Sequence, residues 1–300
     1  MRLVISALLL LVGCAEARYR VKRPFFYEIS KGRFEAHILG TLHNGVSMED
    51  LPEEVLHRFR EADAFVLEAD PKKINQSALD SVYYRGPKGK ALKELLDAAT
   101  YKKLEQFVAQ ILDPASQKSV LEQFTPLGAY FLVAKKKDAE VIVGKEHATF
   151  GNARRLAASM DREFLREAEK LEKPVLTLDE INSEFMECMM SQLYGPQETH
   201  IEMLQEVLKP KPVINLNGFF ALVENYRAGH IPVSAKATFA SCLLEDRNEM
   251  WAGKIMSYMS TYKKPFIAVG VLHLEHAETS VFNYLREMGY KVRRLTIESK

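Results

Sequence analysis

Net charge is almost absent from this chain: 41 Lys and Arg face 40 Asp and Glu. Nucleic-acid binding needs a concentrated basic surface, so a near-neutral body gives no reason to expect a nucleic-acid partner. Cysteine is scarce too. Beyond Cys14 there are only Cys188 and Cys242, which either pair in an oxidising compartment or stay as buried thiols. No long linker or low-complexity tract divides the chain. Three catalytic signatures are also missing. "GPKGK" at 86–90 lacks the length and the Ser/Thr of a phosphate loop, and neither an H-E-x-x-H zinc helix nor a G-x-S-x-G nucleophile elbow occurs.

The longest apolar run near the start, Leu3–Val12, is shorter than the roughly 20 residues a spanning helix needs. With Arg2 before it and Gly13-Cys14 after it, the run reads as a secretory signal over residues 1–13. Leu11-Val12-Gly13-Cys14 resembles a bacterial lipobox at every position, which makes Cys14 the expected lipidated first residue of the mature chain. Lipid chains anchor a protein to a membrane without spanning it. Ala15 after the cysteine favours, by that resemblance, an outer-membrane lipoprotein facing the periplasm of a bacterial cell envelope. "NQS" at 75–77 is then a sequon without consequence.

The remainder is ordinary for a soluble globular chain, at 47% hydrophobic and 27% charged. Five apolar runs read as strands: "FEAHILG" (34–40), "AFVLEAD" (64–70), "AEVIVGKE" (139–146), "PVLTLDE" (174–180) and "FIAVGVLH" (266–273). A sixth, "KVRRLTIE" (291–298), alternates more and reads as an edge strand. Strands alternating with helical stretches predict an α/β fold, with a mixed, mostly parallel central sheet flanked by helices. The expected organisation is a single domain over 26–298 with a helical insertion at about 76–138; a further helical stretch covers roughly 182–262. Both are candidates for a cap.

Open α/β sheets bind ligands beyond the carboxyl ends of their strands, so polar residues just past each apolar run are the ones to weigh. These are His43, Glu68, Glu146 with His147, Glu180, and His273 with His276. His43 and His273 each follow a glycine by three residues, in "GTLH" and "GVLH". A single histidine at a strand end is usually a hydrogen-bonded structural residue; the repeated context favours the functional reading. Imidazole with carboxylate is the donor set of a divalent transition metal with positions left for water and substrate. Glu68, entering a buried strand, needs a cation or metal to offset several kcal/mol of desolvation, as an order of magnitude. Glu180 serves equally as a helix cap, and Glu146, His147 and His276 have weaker support. His37, His57, His200 and His230 read as surface or packing residues. Arg247 lies four residues before Trp251 on a predicted helix, near its apolar side, and its guanidinium needs a carboxylate or an oxyanion unless its head lies in water.

"LGTLHNG", "AFVLEAD", "KPVLTLDE", "EDRNEMWAGKI" and "AVGVLHLEHAETSVFNYLREMGYKVRRL" resemble, in this order, the TraB/GumN (Tiki-like) family. That family lies within a wider group with erythromycin esterases and ChaN-like haem-binding lipoproteins. The resemblance covers roughly 26–298 and implies an α/β fold with a metal-dependent hydrolase site, peptidase-like in Tiki-like members. It maps His43, Glu68, Arg247 and His273 onto the family pattern, Glu180 onto its glutamate, and Asp161 onto an acidic position. Ser159-Met160 before Asp161 and His276 after the second motif depart from that pattern, which bears on substrate choice more than on the metal site. The expectation is a lipid-anchored hydrolase of a peptide or small amide or ester. His43, His273 and Glu68 hold Mn, Co or Zn; Glu68 or Glu180 acts as general base, and Arg247 steadies an oxyanion or a carboxylate. The alternative is a binding lipoprotein that sequesters haem, metal or a peptide without turnover.

Overall fold

The computed structural model describes residues 20–73, 75–86, 89–141, 158–210, 217–231, 244–275 and 279–297. The chain divides into two compact units: one of residues 1–69, 154–179 and 216–300, the other of 70–153 and 180–215.

The first unit begins with a hairpin. β1 (Phe26–Lys31) and β2 (Phe34–Thr41) pair antiparallel through a two-residue turn. Gly32 opens that turn at φ +60°, a conformation L side chains seldom adopt. α1 (Glu53–Glu61), β3 (Ala64–Leu67), α7 (Met160–Lys170), β4 (Val175–Thr177), α10 (Asn217–Arg227) and α11 (Glu245–Thr261) follow. β5 (Pro265–Gly270), α12 (Val271–Glu275), α13 (Val281–Glu287) and β6 (Lys291–Arg294) complete it. The sheet order is β4-β3-β5-β2-β1-β6. β4, β3, β5 and β2 are mutually parallel, and β1 alone runs against the other strands. The fold is therefore α/β, with a mixed, mostly parallel sheet flanked by helices.

Side-chain alternation assigns the two faces. Phe65 and Phe266 meet Phe59 of α1 and Phe164 of α7 on one face, and Phe26 joins them through Phe266, with ring centroids 4.8 to 6.1 Å apart and every ring fully buried. Tyr27, the next residue along β1, points the other way onto Phe282 of α13, 4.5 Å between centroids. β2 leads to β3 through α1, and β5 leads to β6 through α12 and α13, so the connections from these two adjacent strands leave over opposite faces. Open α/β sheets bind their ligands at such a point.

The second unit is helical among the described residues. It holds α2 (Gln76–Tyr83), α3 (Leu92–Leu95), α4 (Ala98–Ile111), α5 (Pro114–Gln123) and α6 (Pro126–Val141), then α8 (Ser183–Tyr194) and α9 (Gln197–Val207). Asn75, Asp97, Asp113 and Asn182 cap four of these helices through their side-chain oxygens. Leu92, Leu104, Val108, Val120, Val133 and Leu204 form one of its cores.

Several expectations need correction. Residues 139–141 end helix α6 rather than open a strand, and 142–146 lie outside the described residues. β5 stops at Gly270, so His273 stands on α12 and not at a strand tip. β1 is a strand that the apolar runs did not reveal, because Glu28 and Ser30 interrupt it. The signal segment with Cys14, and Glu146, His147, Cys242 and His276, lie outside the described residues. Cys188 is disulfide-bonded. Among the described residues no helix is long and apolar enough to cross a membrane.

Candidate functional site

Four neighbouring parallel strands each deliver polar groups at their carboxyl ends. β2 leads to Thr41 and His43, β5 to Gly270 and His273, β3 to Glu68, and β4 to Asp179. Adjacent strands lie about 4.8 Å apart, so groups far apart in sequence arrive within side-chain reach.

Glu68 occupies the centre. Its Oε1 accepts the Gly270 N–H at 2.5 Å and lies 3.9 Å from His273 Nε2. Its Oε2 accepts from Arg247 Nη2 at 3.2 Å and lies 4.0 Å from His43 Nε2. Burial pushes this carboxyl up, but His273, His43, Arg247 and the Gly270 amide together outweigh it and hold the group at about 2. Glu68 is thus a fixed carboxylate at neutral pH.

Arg247 projects from α11 and binds Asp179 through Nε at 3.0 Å and Nη2 at 2.5 Å. Its guanidinium also lies over Trp251, 4.5 Å from the ring centroid. Trp251 Nε1 donates to the other Asp179 oxygen at 2.6 Å. Burial raises the Asp179 carboxyl pKa; Arg247 opposes the shift but only in part. Asp179, adjacent to Glu180, is the carboxylate turned inward, while Glu180 is exposed. The predicted need of Arg247 for a carboxylate is met by two of them.

The two histidines are tethered through their δ-nitrogens. His273, at 6% side-chain exposure, donates from Nδ1 to Asn248 Oδ1 at 2.5 Å and stacks on Trp251, with centroids 4.1 Å apart. Asn248 donates its own amide N–H to the Thr279 carbonyl at 2.7 Å, which orients its oxygen toward the ring. His43 hydrogen-bonds through Nδ1 to Asp161 Oδ2 at 2.7 Å, and Thr41 Oγ1 holds the other Asp161 oxygen at 2.7 Å. The Asp161 hydrogen bond lifts the His43 imidazole to about 9, aided by the charge of Glu68 and opposed by burial. A tethered Nδ1–H leaves each Nε2 directed at Glu68.

Gly270 has a second part in this geometry. A Cβ built on it would stand 3.0 Å from Glu68 Oε1, 3.4 Å from His43 Nε2 and 3.6 Å from His273 Cδ2. Only glycine leaves that space open. Gly40, its counterpart before His43, is packed instead: a Cβ there would meet Phe25, Val271 and Leu274 at 3.0 to 3.2 Å.

Of the residues singled out in the sequence, His43, Glu68, Arg247 and His273 come together, with Asp161 behind His43. Asp179, Asn248 and the Gly270 amide were not anticipated. Asn248 had a legible signal, because it follows Arg247 and precedes the buried Trp251 by three residues on one helix. A separate group of ligand-type side chains, Glu28, Glu35 and His37, brings one donor atom from each within 4.8 Å of the others on the β1–β2 hairpin.

The fold and rim thus define an α/β protein in which one buried carboxylate stands between two histidines that present their ε-nitrogens. The family follows from comparison: the sequence model of the TraB/PrgY/gumN family matches residues 25–294, nearly the whole chain, and the chain belongs to that family. No curated protein and no solved structure matches it.

Proposed function

We propose that this protein is a metal-dependent hydrolase of a peptide or small amide or ester, held at the bacterial cell envelope by a lipid on Cys14 and facing the periplasm. The observation that carries the reading is the space above Gly270, ringed by Glu68 Oε1, His43 Nε2 and the His273 ring. Two imidazoles and one carboxylate are the donor types of a divalent transition ion such as Mn, Co or Zn. His43, His273 and Glu68 would hold it once their donor atoms, which do not all lie within 4.8 Å of one another in this structure, draw together. Held there, such an ion would supply Lewis-acid activation of water at neutral pH.

The chain's own groups do the rest. Asn248 and Asp161 engage the δ-nitrogens of the two rings, which turns each Nε2 toward Glu68. Arg247 and the Gly270 amide aim Glu68 and keep it ionised, and Asp179 with Trp251 holds Arg247 in place. With Glu68 engaged by two donors, accepting a proton falls in this reading to Glu180, the exposed carboxylate next along the chain from Asp179.

The test begins with elemental analysis of protein purified without chelator. Hydrolysis of a peptide library is then measured after chelation and after back-titration with Mn, Co and Zn. Activity should vanish on chelation, return with one of the metals, and fall by about 100-fold or more in His43→Ala and His273→Ala. Turnover indifferent to metal, or unchanged in His43→Ala, overturns the proposal. Stoichiometric metal or haem binding without turnover would instead support a sequestering lipoprotein.

A further inference from the structure

We propose that the β1–β2 hairpin carries a second divalent-metal site, formed by Glu28, Glu35 and His37 and separate from the strand-end site. The register brings the three together: Glu28 pairs directly with His37, and Glu35 precedes His37 by two residues and so shares its face. One donor atom from each lies within 4.8 Å of the other two. The distance from the rim is large, since His37 precedes Thr41 by four residues on β2, roughly 13 Å at about 3.3 Å per residue.

His37 supplies the independent observation. It is 5% exposed, its ring lies 15° from the plane of Phe26 with centroids 5.4 Å apart, and neither ring nitrogen makes a hydrogen bond among the described residues. Neither nitrogen is a buried orphan; solvent reaches the ring, so a cation can approach it between the two carboxylates without displacing a protein hydrogen bond. Burial, with Arg58, moves its pKa below the ordinary histidine value, so the ring is neutral and keeps a lone pair for a cation.

The two glutamates are half-buried at the sheet margin. Glu28 is already shared, because Arg293 Nη2 donates to its Oε2 at 2.9 Å, which leaves Oε1. Arg58 and Lys264 also act on His37 and work against a cation. The site is therefore a modest one, suited by its imidazole to Zn or Co rather than to Mg or Ca. Its effect is to brace β1, the one strand running against the others, to β2.

The test uses His43→Ala/His273→Ala protein, which lacks the proposed rim ligands, and titrates it with Co²⁺ while following visible absorbance. One equivalent should bind. Adding Glu35→Gln or His37→Phe should weaken binding about tenfold or more; the phenylalanine keeps the stack on Phe26. Arg293→Gln should tighten it by releasing Glu28. Circular dichroism checks that each variant is folded. A folded double variant that binds no Co²⁺, or binding unmoved by Glu35→Gln and His37→Phe, overturns the site. Affinity unchanged in Arg293→Gln overturns the place of Glu28 in it.

Discussion

His43 stands beyond β2 with 60% of its side chain exposed, whereas His273 stands on α12 at 6%. Both follow a glycine by three residues, and both strands end at one rim of the sheet. Their δ-nitrogens meet different chemistry: a carboxylate, Asp161, for His43 and a carboxamide, Asn248, for His273. The anionic partner of His43 favours its charged imidazole, and the carboxamide beside His273 orients that ring. The glycines differ as well, since Gly40 makes room for neighbouring apolar side chains and Gly270 makes room for the site itself. A repeated phrase in the sequence thus fixes where each strand ends, while the surrounding helices decide what each histidine does.

The sharpest way to break this contrast is to fill each glycine. Gly270→Ala places a methyl among Glu68, His43 and His273. Cobalt affinity at the rim, read in Glu35→Gln protein, should fall about 100-fold with little change in stability. Retained affinity would mean that the rim binds its ion without the space above Gly270. Gly40→Ala should do the opposite, with a fold about 1–3 kcal/mol less stable by urea titration, because Phe25, Val271 and Leu274 close over it. An unchanged unfolding midpoint would show that the packing yields.

The smallest effect concerns the anionic partner of His43. In chelator-treated protein the imidazole is raised from 6.5 to about 9. A raised folded-state value means that the associated stability is whole below about pH 6.5 and is lost as pH rises through about 9. Asp161→Asn removes it, so the stability gap between the two proteins should narrow across that window. Because His43 is 60% exposed, the gap should be only about 0.2–1 kcal/mol. A gap constant from acid to alkaline pH would mean that His43 carries no charge in the pair.

Much of the fold and the rim is readable from residues alone. The α/β class and four of the five apolar runs survive because near-continuous runs such as 64–67 and 265–270 are buried on both faces. His43, Glu68, Arg247 and His273 were legible because a polar side chain set against an apolar strand or helix face is costly there unless something pairs with it. Asp179 was not, since "LDE" offers two adjacent carboxylates and only the end of β4 decides which one turns inward. β1 was hidden by Glu28 and Ser30, and with it went any reason to see His37 as more than a packing residue. Pairing register is a tertiary fact, and a hairpin shows it only once both strands are known.

The carbonyl of Glu68 accepts the N–H groups of both Leu178 and Asp179, at 3.1 and 2.7 Å. Both excursions that build the helical unit set out within two residues of that clasp, at Asp70 and at Glu180. The spacing between the two carboxylates is therefore pinned by backbone before either excursion begins. Closing a longer loop costs only about 0.6 kcal/mol per doubling of its length. The chain between Asp70 and residue 153 is thus an excursion whose length bears little on where the two carboxylates sit, because the backbone clasp at Glu68 sets their spacing locally.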